Sequence, residues 1–353
     1  MATIVLTGGG TAGHVIPNIS LLPYLKRYFQ EIIYIGSENG LEKNLILNEG
    51  IKFYSTETVK FKRSLSLKNF LIPFKLLKGI RQAGNLLDTI KPNVIFSKGG
   101  YVALPTVIAA KKRKIPVICH ESDLTVGLSN KISSRFSSLV LTSFKETESE
   151  VKNGKFVGPP LRKFVISNKE KAKKRFGFTK NLPTLLIIGG SLGAKSINNA
   201  FLSIAKDVSK KFNIIHVTGK GNLSNVRIDG YFETEFLNDI DSAYSIADLA
   251  ITRAGSNTLF ELLSNKIPCL AIPLPKGASR GDQILNAEYF SYKGAIMMLK
   301  QENLTPNVLF SKINLLYENK DKYLKAIKNL NVQSSCEKIA EILNQSALNY
   351  HNQ

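Results

Sequence analysis

The chain has 353 residues, 43% of them hydrophobic, with three cysteines and a net charge of +21. That length leaves room for two domains, each with its own core. No stretch reaches the ~18 consecutive apolar residues of a membrane span, and Cys119, Cys269 and Cys336 are too scattered to form a CxxC or His/Cys metal site. The positive excess calls for an anionic partner: nucleic acid, an anionic membrane surface, or a phosphate-bearing substrate.

The first residues enter an apolar strand, TIVLT, without the basic segment or cleavage signal of a secreted chain. GGGTAGH (Gly8–His14) follows, then a helix over about residues 15–29 and a strand over residues 32–36. This is a βαβ unit, which sets a parallel sheet. Gly8, Gly10 and Gly13 satisfy the G-x-G-x-x-G dinucleotide pattern, with Glu38 available as a ribose acid, although any tight loop beside a ligand wants the same glycines. His14 either packs or caps locally, or serves as a general base at the mouth of the loop, since its ~6.5 reference pKa suits proton transfer near neutrality.

Between Lys52 and Lys114 there are fourteen Lys or Arg residues against two acids, Glu57 and Asp88. Within this region Lys62, Arg63, Lys68, Lys75, Lys78 and Arg81 alternate with Phe70, Leu71, Ile72, Phe74 and Leu77. Such a stretch is either an amphipathic helix with a solvated basic face or a patch that docks on an anionic leaflet. No recognition helix or aromatic strand motif points to nucleic acid.

Further apolar strands over residues 94–97, 116–119 and 139–142 extend the alternation of a doubly wound α/β domain. Each of the first two ends in a polar motif. SKGGY brings Tyr101 to ligand or core, and HESD brings Glu121 and Asp123, as sugar or proton-transfer groups or as a polar turn with Asp123 capping a helix. FVGPPLRK, with a glycine and two prolines, marks the domain boundary.

The second half repeats the pattern. TLLIIGGSLGAKSINNAF reads strand, glycine loop, helix, with Ser191 as cap and phosphate ligand and Lys195 solvated. No Walker loop occurs. After the apolar run at residues 249–251, Gly255 and Ser256 open a new helix with Ser256 or Asn257 as cap, a place where N–H groups and helix dipole favour a phosphate. Glu261, about one turn further, either complements the dipole or accepts a ribose diol. Gln283 and Asn286 follow a polar loop suited to sugar hydroxyls, and the tail from Leu315 is helical. Together these readings predict two similar Rossmann-like domains facing a cleft.

GGGTAGHVIP, SKGGY, HES, VGPPLR, GGSLGAK, TRAGSNTLFE and DQILNA stand in the order and spacing of one family. The chain resembles the MurG-type N-acetylglucosaminyltransferases of peptidoglycan synthesis along essentially its full length. The resemblance implies a GT-B fold, with residues 1–159 as the acceptor- and membrane-facing domain, 160–335 as the UDP-sugar domain, and a last helix, about 336–353, returning to the first. It implies inverting transfer of N-acetylglucosamine from UDP-N-acetylglucosamine to the muramyl 4-hydroxyl of undecaprenyl-linked lipid I, giving lipid II. Arg162 and the backbone around Leu237 would serve the uridine, and Glu261 the ribose. Ser191 and the backbone at Ser256, Asn257 and Thr258 would hold the diphosphate, and Gln283 the sugar. Thr11, Gly13, His14, Tyr101, Glu121 and Asp123 would line the acceptor side, with His14 the first choice of base and Glu121 the second.

No cofactor or essential metal is implied. The expected partners are the two substrates, the anionic inner leaflet and other cell-wall synthesis proteins, at the cytoplasmic face of the membrane. Ala12, Asp123 and Asp282 stand where the family pattern has glycine, asparagine and glutamine. The readings outside this one are a related enzyme with another lipid acceptor and, from the first loop alone, an NAD-dependent dehydrogenase.

Overall fold

Strands buried on both faces need helices on both sides, and the sequence supplies strand and helix in alternation. The computed structural model describes residues 2–59, 72–190, 193–277 and 280–351. They divide into two compact units, Met1–Arg162 with Ser334–Gln353, and Lys163–Gln333.

The first unit runs β1 (Thr3–Thr7), α1 (Ile16–Leu25), β2 (Glu31–Ser37), α2 (Leu41–Asn48), β3 (Lys52–Thr56), α3 (Ile72–Ile90), β4 (Val94–Ser97), α4 (Leu104–Lys112), β5 (Val117–Glu121), α5 (Leu128–Ser133), β6 (Leu139–Thr142) and β7 (Gly154–Phe156). Its sheet has the order β3-β2-β1-β4-β5-β6-β7, with every pair parallel. β1, β4 and β5 are buried along their whole length. α1 ends at Leu25, short of the expected residue 29, where the chain tightens: the N–H groups of Arg27 and Tyr28 donate to the carbonyls of Tyr24 and Leu25, three residues back.

The second unit runs α6 (Lys169–Arg175), β8 (Thr184–Ile188), α7 (Lys195–Leu202), α8 (Ala205–Val208), β9 (Asn213–Val217), β10 (Tyr231–Thr234), α9 (Ile240–Ile246), β11 (Ala247–Thr252), α10 (Ser256–Ser264), β12 (Cys269–Ala271), α11 (Asp282–Tyr292), β13 (Met297–Met298), α12 (Pro306–Glu318) and α13 (Lys320–Leu330). Its sheet, order β10-β9-β8-β11-β12-β13, is likewise parallel. Ile197 and Phe201 of α7 share its core with Leu309, Ile313 and Leu316 of α12.

The chain then returns to unit 1 as α14 (Cys336–His351). Ser335 Oγ donates to the Gly158 carbonyl at 2.9 Å and Ser334 Oγ to the Leu161 carbonyl at 2.6 Å, fixing the start of the helix. Ile339, Ala340 and Leu343 then join Leu21, Leu22 and Leu25 of α1 in one core. Leu343 is wholly buried there, so Leu343→Ala should cost about 2–5 kcal/mol in denaturant unfolding. An unchanged unfolding midpoint would show that α14 is not part of this core.

Candidate active site

Ligands of doubly wound sheets collect at the carboxyl ends of the strands where the strand order reverses. That point lies between β1 and β4 in unit 1 and between β8 and β11 in unit 2.

In unit 1 three loops interlock there. Glycine is required where they touch. A Cβ on Gly10 would stand 2.6 Å from Tyr101 Cε1, and one on Gly100 2.2 Å from the Gly9 carbonyl oxygen, with φ of +86° and +78° at the two glycines. Residues 12–14 form a 3-10 turn, so Ala12 is accommodated at an ordinary negative φ. Thr11 Oγ1 lies 2.9 Å from His14 Nδ1. With the proton on Nδ1, Thr11 accepts and the basic lone pair of the ring sits on Nε2. Thr11 and Gly13 are exposed and His14 partly so.

A residue the sequence reading passed over holds the first loop. Glu42 of α2 is fully buried and accepts hydrogen bonds from the N–H of Ser37 (3.1 Å) and of Gly10 (3.4 Å), and from the Ser37 hydroxyl. Its only signal in the sequence is an acid in the first turn of a helix. Glu38, the alternative ribose acid, instead pairs with Lys43 at 2.6 Å on the surface.

β5 runs to Glu121, two residues past the expected strand end, so His120 and Glu121 are buried strand residues. The Glu121 carboxylate accepts from the N–H groups of Ser122 (2.8 Å), Asp123 (3.0 Å) and Gly127 (2.9 Å), and from Asn130 Nδ2 (2.9 Å). Burial and the Asp123 charge raise its pKa against these donors. A carboxylate engaged four times organises its loop. Asp123 does not cap a helix: α5 begins at Leu128 behind Gly127.

Lys98 of the SKGGY motif lies beneath these loops, 1% exposed. Its Nζ is 2.9 Å from His120 Nδ1 and bonds the Ser122 hydroxyl. Burial lowers its pKa to about 8, opposed by the charges of Glu121 and Asp123. His120 is held well below its ordinary value by burial and by Lys98, so it stays neutral. It accepts from Lys98 at Nδ1 and presents Nε2–H toward the Gly158 carbonyl at 3.4 Å.

In unit 2 the glycine loop after β8 leads into α7, whose N-cap is Ala194. Ser191, expected as cap, lies outside the described residues. Gly193 has φ +74°, and a Cβ there would strike the Thr218 carbonyl at 2.1 Å. Lys195 is exposed, as expected. The turn after β11 places Gly255 as N-cap of α10, with extended backbone and no side-chain cap. Ser256 and Asn257 are therefore first-turn residues rather than caps, and with Thr258 they supply the N–H groups that a helix cannot satisfy internally.

Glu261, one and a half turns along (~3.6 residues per turn), receives the Tyr244 hydroxyl on Oε2 at 2.9 Å. Tyr244, 5% exposed, was not anticipated; it sets the direction of the carboxylate. Arg253, 9% exposed, joins the strand ends, donating to the Ile272 carbonyl (3.0 Å) and the Ser196 hydroxyl (2.8 Å). Burial lowers its pKa.

Asn286, expected at sugar hydroxyls, is instead fully buried and donates to the Ala254 carbonyl at 3.3 Å. It locks α11 to the α10 turn and so positions Gln283. Gln283 accepts the Leu274 N–H at 3.1 Å, which leaves its amide NH2 as the donor group. Asp282 is 3.7 Å from Arg280. Leu237 is half-buried in the loop before α9, and Arg162 is half-buried as the last residue of its stretch in unit 1.

Of the basic and apolar stretch, Lys62, Arg63, Lys68, Phe70 and Leu71 lie outside the described residues. On α3, Phe74 (65%) and Leu77 (64%) are exposed beside Lys75, Lys78 and Arg81. A cavity of about 830 Å3 lies at the amino ends of β5 and β6, lined by Ile115, Phe136 and Tyr350 among others, remote from the glycine loops. Among the described residues no helix is long and apolar enough to cross a membrane, and no group of His, Cys, Asp and Glu side chains is placed to hold a metal ion.

Comparison with known proteins converges on this arrangement. The glycosyltransferase family 28 N-terminal domain matches residues 4–142 and the family 28 C-terminal domain residues 184–343. The UDP-N-acetylglucosamine--N-acetylmuramyl-(pentapeptide) pyrophosphoryl-undecaprenol N-acetylglucosamine transferase of Clostridium tetani is 45% identical over 346 residues, 96% of this chain and 97% of its own. The transferase of the same name from Lachnoclostridium phytofermentans is 44% identical over 354 residues, 99% of this chain and 100% of its own. Among solved structures, MurG of Acinetobacter baumannii superposes with a TM-score of 0.76 at 25% identity, covering 98% of this chain and 100% of that one. A UDP-GlcNAc 2-epimerase of Neisseria meningitidis shares the fold, with a TM-score of 0.66 at 15% identity over 99% of this chain and 100% of that one.

Two parallel Rossmann-like units, each with a glycine loop at its switch point, define a GT-B enzyme of nucleotide-sugar chemistry. The chain belongs to glycosyltransferase family 28, as a hexosyltransferase.

The buried Lys98 gives a pH signature. Its pKa is about 8 when folded against ~10.4 unfolded, so between these values the unfolded state holds more protons and stability rises with pH. Lys98→Met lacks that contribution. The stability of wild type relative to Lys98→Met should therefore increase from pH 8 to pH 10.5, by denaturant titration at each pH. A constant difference would place the ammonium outside this buried site.

Proposed function

We propose that the protein transfers N-acetylglucosamine from UDP-N-acetylglucosamine to the 4-hydroxyl of the N-acetylmuramyl unit of undecaprenyl-linked lipid I, with inversion, forming lipid II for peptidoglycan. The observation that carries this reading is identity of about 45% along nearly the whole chain to transferases of that name. The geometry of both units supports it.

In unit 2, Glu261 oriented by Tyr244 accepts the ribose hydroxyls. The first-turn N–H groups at Ser256–Thr258, with the loop around Ser191, hold the diphosphate, and Gln283 donates to the sugar. Arg162 and the backbone at Leu237 serve the uridine. In unit 1, His14 held by Thr11 takes the proton as the acceptor oxygen attacks the anomeric carbon, and UDP leaves with the bonding pair. Fixed N–H dipoles and Arg162 stabilise that charge, so a metal is not required. Tyr101, Gly13 and Asp123 line the acceptor side. The exposed Phe74 and Leu77 among cations are the surface that meets an anionic inner leaflet, at about 1 kcal/mol per well-placed cation.

Calorimetric titration with UDP-N-acetylglucosamine in the presence of chelator should show selective binding over UDP-glucose and NAD, whereas selective binding of NAD would sink the transferase reading. Glu261→Ala should weaken donor binding about tenfold or more, the loss of a charged hydrogen-bond acceptor (~1.5–3 kcal/mol). His14→Ala should keep donor affinity and lower kcat about 100-fold or more. Full turnover on lipid I by that variant would remove His14 as the base.

A separate check concerns the surface. Phe74→Ser with Leu77→Ser should reduce sedimentation with vesicles containing anionic lipid while leaving donor affinity intact. Unchanged sedimentation would assign membrane contact elsewhere.

A further inference from the structure

The end of β5 and the turn behind it carry two acids, Glu121, which is buried, and Asp123, which is partly exposed. Like charges this close repel, and more strongly where one is out of water. Burial and then the Asp123 charge push the Glu121 pKa up accordingly. The N–H groups and Asn130 that bind Glu121 are dipoles, so they leave the net charge of the turn unchanged.

A full cation lies beneath the same turn. Lys98 follows β4, and its N–H donates to the Thr7 carbonyl at 2.9 Å, which fixes the start of its stem beside the first glycine loop. The side chain is 1% exposed, and a buried ammonium is costly unless opposite charge offsets it. Its hydrogen-bond partners do not supply that charge. Nζ is 2.9 Å from Nδ1 of His120, which burial keeps neutral, and it bonds the Ser122 hydroxyl. Burial lowers the Lys98 pKa to about 8, and the charges that oppose this are Glu121 and Asp123. The side chain is therefore an ammonium at neutral pH.

Asp123 is also a place where this chain departs from its family's pattern, which has asparagine there. With asparagine the turn carries one carboxylate; with Asp123 it carries two. The acceptor proposed above reaches its lipid through a diphosphate, the pyrophosphoryl group of the relatives' shared name. A second carboxylate on the acceptor side repels such a substrate unless a cation balances it.

We propose that Lys98 is a positioning residue that balances Asp123, holding the HESD turn in place and cancelling its added charge toward the anionic acceptor. Lys98 does not touch the sugar; it acts from behind Ser122. The assignment rests on the function proposed above and adds the pair of residues by which this chain accommodates an acid on its acceptor side.

The test uses the full chain, UDP-N-acetylglucosamine and a water-soluble, short-chain form of the lipid-linked muramyl acceptor. Lys98→Met should raise the acceptor KM about tenfold, the scale of coupling between neighbouring charges, with kcat within about twofold. Affinity for UDP-N-acetylglucosamine should stay as in wild type. In an Asp123→Asn background the same substitution should raise KM less than about twofold, because the charge it balances has gone. A loss of packing alone would cost the same in both backgrounds. A second measurement needs no Lys98 variant: by NMR titration the Lys98 pKa should be lower by about 0.5 or more in Asp123→Asn than in wild type.

Equal KM penalties for Lys98→Met in the two backgrounds overturn the proposal, as does an unchanged acceptor KM. If Lys98→Met fails to fold, the titration decides alone, and an unmoved Lys98 pKa in Asp123→Asn overturns the pairing. Wild type that transfers to no muramyl acceptor overturns the function itself, a failure that leaves the titration of the pair to be read separately.

Discussion

Backbone N–H groups at the carboxyl end of a parallel sheet must find partners once the ladder stops, and in unit 1 two buried carboxylates provide them. Glu42 takes the N–H groups of Gly10 and Ser37, and Glu121 those of Ser122, Asp123 and Gly127. Glu42 thereby ties the loop after β1 to the end of β2, and Glu121 folds the loop after β5 back onto its own strand. The close glycine contacts at Gly10 and Gly100 are tolerable only within that arrangement. Replacing either acid with a neutral side chain leaves buried donors unsatisfied, at a cost of ~1–3 kcal/mol each.

Unit 2 ties its strand ends with a donor instead of an acceptor. Its strand ends are joined by Arg253, a nearly buried guanidinium bound to a carbonyl and a hydroxyl. The difference follows what each unit is proposed to hold. A cation behind the α10 turn reinforces the helix dipole at the proposed diphosphate site, whereas the carboxylate behind the first loop suits the uncharged sugar hydroxyl proposed there.

Much of this was legible in the sequence, for physical reasons. Apolar runs such as TIVLT and TLLII read as strands because buried parallel strands cannot alternate in polarity, and the glycine loops read as ligand loops because only glycine permits such close approach. Elsewhere the reading stopped at the chain's local grammar. His120 and Glu121 were placed after a strand because they are polar, yet they are its last two residues, their polarity satisfied by Lys98, Asn130 and loop N–H groups. Ser256 looked like a cap because caps are commonly serine, yet Gly255 takes that position. Glu42, Lys98, Tyr244 and Arg253 were invisible for a common reason. Each acts through a partner distant in sequence, and an isolated charged or aromatic residue carries no sign of such a partner.

The return of α14 to unit 1 has a consequence for how the protein is made. Unit 2 is one continuous stretch, complete in sequence before α14 is synthesised. Unit 1 begins first but lacks a wall of its core until residues 336–351 have left the ribosome. Through most of translation the α1 side of its sheet, including Leu21, Leu22 and Leu25, is uncovered apolar surface of the kind that binds chaperones or aggregates. The half synthesised first is therefore the half completed last.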